Sequence, residues 1–159
     1  MKRGTLDELD RHILYALQQD ARHTSSGDIA EERGISASTV RKRIQRLEEE
    51  GIISGYHVEI DYEEAGLPLH AKLICSAPIP QREELAKQAL DIHGVEAVRE
   101  IMNGHDNIYI NIIGVDHDDL SRIGQELYDL GLDIEDEQII RHEYVCPYRG
   151  FLARDDLEE

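Results

Sequence analysis

Gly34-Ile35-Ser36-Ala37-Ser38-Thr39-Val40-Arg41-Lys42-Arg43-Ile44-Gln45-Arg46-Leu47 joins a turn glycine to a serine and then sets Val40, Ile44 and Leu47 along one stripe. Ser36 is a natural N-cap, because its side-chain oxygen can accept from a first-turn N–H. The stripe has helical period and Gly51 closes it, so the segment reads as an amphipathic helix. Just upstream, Ser25 with Asp28, followed by Ile29 and Ala30, signals a shorter helix ending at Gly34, a residue suited to a left-handed C-cap. Further upstream, Thr5 with Glu8 has the spacing of a capping box, and Leu9, Ile13, Leu14 and Leu17 recur at helical spacing from about Leu6. Three helices, the last two joined by Gly34-Ile35-Ser36, predict a helix-turn-helix.

Downstream the period changes. Ile52, Ile53, Tyr56, Val58, Ile60 and Tyr62 alternate as in a strand, and the pattern breaks at Glu63-Glu64-Ala65-Gly66-Leu67-Pro68, read as a hinge. Beyond it the patterns predict a strand over 69–77, a helix over 82–92, strands over 95–102 and 107–115, a helix over 118–130 and a strand over 134–145. That order is βαββαβ, the ferredoxin-like arrangement, so the whole is α+β: an N-terminal three-helix, winged helix-turn-helix followed by a ferredoxin-like domain. The expected divisions are 1–53 for the helix-turn-helix, 54–68 for linker strand and hinge, 69–148 for the ferredoxin-like domain and 149–159 for an acidic tail, frayed over 154–159. In the strand over 107–115, Ile108, Ile110 and Ile112 point one way and Tyr109, Asn111 and Ile113 the other. The second sheet face is therefore half polar and a candidate for self-association.

Composition narrows the function classes. The chain has 159 residues, 17 Lys+Arg and 34 Asp+Glu, for a formal charge of −17. Such a balance opposes nucleic-acid binding on average, since phosphate neutralisation supplies most of that affinity. The charge is not evenly spread. Residues 1–53 hold 9 basic and 10 acidic residues, which leaves 8 basic and 24 acidic ones, about −16, for the rest. Ser36 to Leu47 carries four basic residues and no acid, the one locally cationic stretch. With 13 Arg against 4 Lys, the usage suits a cytoplasm of very high salt. No apolar run approaches the ~20 residues of a membrane span, and Met1-Lys2-Arg3-Gly4 leads into an acidic amphipathic segment instead of a signal sequence, which predicts a cytoplasmic protein. Cys75 and Cys146 lie far apart in apolar or aromatic surroundings and read as reduced thiols.

On the outward side of the third helix the ~100° step collects Ser38, Thr39, Lys42, Gln45 and Arg46, flanked by Arg41 and Arg43. Arg and Lys match guanine O6/N7, Gln matches adenine, and Ser or Thr meets phosphate or the thymine methyl, while the helix start at Ser36 offers N–H groups to a phosphate. The candidate contacts to double-stranded DNA are thus Ser36, Ser38, Thr39, Arg41, Lys42, Arg43, Gln45 and Arg46. His105, His117 and His142 show no metal-ligand spacing, and neither a GxSxG, a P-loop nor a Cys with an evident base points to catalysis, so no metal, cofactor or catalytic residue is expected. A metabolite-binding enzyme with a grafted helix-turn-helix, and an assembly module, remain as alternatives.

The runs Leu6-Asp7-Glu8-Leu9-Asp10-Arg11-His12-Ile13-Leu14, Asp20-Ala21-Arg22, Ile29-Ala30, Gly34-Ile35-Ser36, Ser38 to Ile44 and Leu47-Glu48-Glu49-Glu50-Gly51-Ile52-Ile53 resemble the DNA-binding domain of the Lrp/AsnC (feast/famine) regulators. The βαββαβ part resembles that family's ligand-sensing, oligomer-forming domain, so the likeness spans nearly the whole chain. It implies a sequence-specific transcription regulator that forms homodimers and higher assemblies up to octamers, with an amino acid or related metabolite bound between subunits. Taken with the composition, it implies a halophilic archaeal source. The family's turn between the second and third strands usually reads Gly, two variable residues, Asp. Here it reads Gly104-His105-Asp106-Asn107, which makes these four the expected effector residues, with Asn where the acid belongs. The same residues also suit a plain tight turn, Gly104 supplying a positive φ.

Overall fold

The computed structural model describes residues 5–152 and divides them into two compact units. One contains the chain up to Val58 together with Tyr144 onward, and the other runs from Glu59 to Glu143. The segments 149–152 therefore belong to the helical unit instead of a tail, while the expectation of fraying over 154–159 lies outside the described residues.

In the first unit α1 (Glu8–Asp20), α2 (Ser26–Arg33) and α3 (Ala37–Glu49) enclose Ile13, Leu14, Ile29, Ala30, Val40 and Leu47. Complete burial of a side chain such as Leu47 contributes about 1.5–3 kcal/mol. Every helix start is capped. Ser25 and Asp28 form the expected capping box of α2, and the Ser36 side chain accepts from Thr39 N. The box of α1 is shifted from Thr5 and Glu8 to Asp7 and Asp10, whose carboxylates accept reciprocally from each other's backbone N–H. Gly34 adopts φ 63°, a left-handed cap that lets α2 turn directly into α3.

After α3 the alternating segment forms no strand. Ile52 N and Ile53 N both donate to Leu47 O, and the chain then runs extended and unpaired, with Val58 83% exposed. A strand exists only by pairing, and among the described residues this segment joins no sheet ladder, so alternation alone does not produce it.

The second unit is a four-stranded antiparallel sheet of β1 (Leu69–Ser76), β2 (Val95–Glu100), β3 (Ile108–Gly114) and β4 (Asp133–Ile139), ordered β2-β3-β1-β4. Helices α4 (Arg82–Ala89) and α5 (His117–Leu130) cover one face. Ala71, Leu73, Cys75, Ile108, Ile110 and Ile112 meet Leu85, Ala89, Leu120, Ile123 and Leu127 there. Burial, with a smaller effect of Glu135, pushes the Cys75 thiol up to about 12. The opposite face is lined by half-buried His70, Lys72, Ile74, Tyr109 and Ile113 and by buried Asn111, close to the half-polar character expected. His70 Nε2 and Asn111 Oδ1 on that face are buried without a hydrogen-bond partner. Edge strand β4 is exposed throughout and carries Asp133, Glu135, Asp136 and Glu137.

Gly94 ends the α4 connection at φ 101°, and a Cβ there would lie 2.4 Å from Ile123 Cδ1 and 3.0 Å from Ile113 O, so only glycine fits. In the turn before β3 the left-handed residue is Asp106 (φ 51°), whereas Gly104 has no positive φ. Asp tolerates this region better than most residues, which is why the turn does not need its glycine there.

Candidate nucleic-acid interface

Recognition by α3 depends on which of its polar side chains are free. Ser36 Oγ lies 2.9 Å from Ser38 Oγ and 2.8 Å from Thr39 Oγ1, a cluster of three exposed hydroxyls at the helix start. Arg41 and Lys42 are exposed and make no ion pair or side-chain hydrogen bond among the described residues. Gln45 is exposed too, its amide donating to Glu49 Oε1 at 2.8 Å. Ser38, Arg41, Lys42 and Gln45 thus recur at i, i+3, i+4 and i+7 on one open face that carries no acid until the last turn, where Glu49 meets Gln45.

Arg43 and Arg46 depart from the expectation that they face DNA. Both lean back on α1. Arg43 Nη1 pairs with Asp7 Oδ2 at 2.5 Å and Asp10 Oδ1 at 3.1 Å, and Arg46 Nη2 pairs with Asp10 Oδ2 at 2.5 Å. The Asp10 side chain is only 1% exposed, so its charge is tolerable only because both oxygens are engaged by guanidinium groups. The Asp10 backbone N–H, with Arg43 adding to it, holds the Asp7 carboxyl below its ordinary value despite partial burial. The same contact with Asp7, then that with Asp10, drives the Arg43 guanidinium further toward its charged form. Arg46 Nε is buried with no partner, although the side chain as a whole is 40% exposed. Asp7 and Asp10 are residues that sequence reading assigned no role; the available signal was the shared i, i+3 spacing of Asp7/Asp10 and Arg43/Arg46.

In the second unit the four turn residues are also separated by the structure. Asn107 is wholly buried: its Oδ1 accepts from Ala77 N and its Nδ2 donates to Ala77 O, each at 2.9 Å, tying the start of β3 to the end of β1. It cannot meet a ligand without breaking both bonds. Exposed Gly104 and His105 remain at the surface, with Asp106 partly so. His105 Nδ1 lies 2.7 Å from Asp106 Oδ1, and its Nε2 lies 3.6 Å from Glu135 Oε1. The Asp106 hydrogen bond, reinforced by the charge of Glu135, raises the His105 pKa above its ordinary value. Among the described residues no group of three or more His, Cys, Asp or Glu could hold a metal ion, and no helix is long and apolar enough to cross a membrane.

A capped helix-turn-helix with one open cationic face, carried on the same chain as a ferredoxin-like domain, defines a DNA-binding transcriptional regulator. Residues 6–54 match the winged helix-turn-helix DNA-binding family. The chain is 32% identical over 135 residues to the HTH-type transcriptional regulator AldR of Mycolicibacterium smegmatis, spanning 84% of this chain and 78% of the relative. It is 36% identical over 126 residues to LrpA of Pyrococcus horikoshii, spanning 79% and 82%. The crystal structure of MtbAldR superposes with a TM-score of 0.73 at 28% identity over 88% of this chain and 97% of that one. E. coli AsnC, at 20% identity and a TM-score of 0.69 over 89% and 96%, shares the fold. The chain belongs to the Lrp/AsnC family of helix-turn-helix transcriptional regulators.

The clamp makes a stability prediction. Arg46→Ala leaves a buried carboxylate short of a partner and should cost about 2–4 kcal/mol in urea unfolding, while Asp10→Ala takes the ion pair from half-exposed Arg46 but leaves Arg43 on Asp7 and should cost about 1–2 kcal/mol. A loss under ~0.5 kcal/mol, the range of ordinary surface changes, would show that the clamp contributes nothing.

Proposed function

We propose that α3 reads the major groove through Ser38, Thr39, Arg41, Lys42 and Gln45, with Ser36 and the first-turn N–H groups on a phosphate. The observation that carries this reading is the exposed cationic face of α3, which has no acid from Ser36 to Leu47 in a chain of charge −17. Arg43 and Arg46 hold the helix in place and are not base readers. A regulator that works on DNA acts in the cytoplasm. An enzyme or a pure assembly module is the weaker reading, since the relatives are named transcriptional regulators.

The second unit is proposed to form homodimers and higher oligomers through the sheet face left open by α4 and α5, where His70 Nε2 and Asn111 Oδ1 await partners. An amino acid or related metabolite bound between subunits would shift the assembly if it binds two states differently. Support for an amino-bearing effector comes from the exposed carboxylates of Asp106 and Glu135 beside His105, with Asn107 set aside as structural. Salt adaptation, and with it a halophilic archaeal source, is proposed from 34 acids against 4 Lys.

Three experiments test these readings. Arg41→Ala and Lys42→Ala should each weaken binding to the cognate site about tenfold or more and narrow the gap between cognate and non-cognate DNA in fluorescence anisotropy; an unchanged specificity ratio would remove this face from the interface. Light scattering with each proteinogenic amino acid should show at least one that changes the assembly, and Asp106→Asn with Glu135→Gln should abolish the response; no response to any of them ends the amino-acid reading. Raising KCl from about 0.1 M to about 1 M, which shortens the Debye length from ~10 Å to ~3 Å, should raise the thermal midpoint. A falling midpoint would contradict salt adaptation.

A further inference from the structure

The chain enters and leaves the second unit at two points, Val58/Glu59 and Glu143/Tyr144, so the helical unit is closed by a segment far removed from it in sequence. That segment carries a short 3-10 turn, Arg149–Phe151, which lies against α1. Tyr148 N donates to Gln18 Oε1 at 3.1 Å, and Phe151 packs against the core cluster of the three helices. The Tyr148 and Phe151 rings meet edge to face at 5.0 Å. On one flank of α1, Phe151 shares a cleft of about 360 Å³ with Leu14, Leu17 and the segment Ile52 to His57 that leads out of α3. On the other flank, Leu152 shares a cleft of about 330 Å³ with His12 and Tyr15. Both covalent connections to the second unit therefore converge on the C-terminal half of α1, while the N-terminal end of the same helix carries the Asp7 and Asp10 carboxylates that grip α3.

We propose that residues 144–152 are a strap built into the DNA-binding unit, and that Phe151 is a positioning residue for recognition: it seats α1, and through the Asp7/Asp10 clamp it sets α3. A helix transmits displacement along its axis because its packing and hydrogen bonds resist deformation. What happens at the end of β4 is in this way felt at α3 without any ligand touching the helical unit. The inference rests on α3 facing DNA, as proposed above, for its functional consequence only; the mechanical coupling of Phe151 to α3 stands apart from it.

The test uses the full chain with Phe151→Ala, Phe151→Leu and Lys42→Ala, read by amide hydrogen exchange and by DNA anisotropy over a salt series. Phe151→Ala is expected to speed exchange in α1 and over residues 43–47 of α3 while leaving β1 and β3 unchanged. It should weaken DNA binding about tenfold, within the usual range of couplings between sites, with the salt slope intact because no phosphate contact is lost. Phe151→Leu should restore most of both. Should Phe151→Ala fail to fold, Gln18→Ala, which removes only the hydrogen bond to Tyr148 N, carries the same measurement with the same expected pattern. Wild-type exchange in α3, or equal acceleration in both units, overturns the strap. If exchange responds as expected but Lys42→Ala binds DNA like the wild type, the strap holds and the assignment of the α3 face is what fails.

Discussion

The buried carboxylate of Asp10 is the constraint around which the helical unit is arranged. A desolvated charge costs several kcal/mol unless neighbours of opposite sign approach it closely, so α1 and α3 cannot be repositioned independently. Arg43 and Arg46 meet it from α3 in two consecutive positions on one flank, and Asp7 shares Arg43 while capping α1. The apolar contacts of Ile13, Val40 and Leu47 supply most of the burial, yet they would tolerate some sliding. The ion pairs are directional and fix the rotation of α3 about its own axis. The face carrying Arg41, Lys42 and Gln45 is presented outward because the face carrying Arg43 and Arg46 is held inward.

This division also settles how a chain of charge −17 can belong to a DNA-binding family. Of the four basic residues in α3, two are neutralised internally. The positive field of the helical unit comes from a narrow face and not from an overall surplus of positive charge. Under the proposed reading, affinity from so few cationic groups is modest for one unit, and the proposed pairing of units in an oligomer multiplies it without new contacts on either. An acidic sheet unit and a small cationic helix face are compatible because screening confines each charge to its own neighbourhood at high ionic strength.

Much of the architecture was readable because it is encoded locally. The Ser25/Asp28 box, the Gly34 cap, the Ser36 cap and the stripe Val40-Ile44-Leu47 each depend on residues within a turn or two. The βαββαβ order followed from period changes alone. What escaped depends on partners distant in sequence. Asp10 reads as one more first-turn acid until Arg43, 33 residues on, is placed beside it. Asn107 reads as a turn or ligand residue, and only the nearness of Ala77, 30 residues back, turns it into a buried staple. The alternation after Gly51 promised a strand that has no ladder, and the apolar end of the C-terminal segment gave no hint that Phe151 closes a core begun by Leu6 and Leu9.

Strand β4 is exposed along its whole length and lies at an open sheet edge, with unpaired backbone groups that could template another strand. Its four carboxylates in seven residues make that edge self-excluding: two copies laid side by side would set acid against acid along the ladder. Edge-to-edge growth of the sheet is disfavoured, which accords with the proposed use of the broad face for association. The guard is electrostatic, so it weakens as salt rises. Where that screening is strong, the shortness of the strand, seven residues, is what limits such pairing.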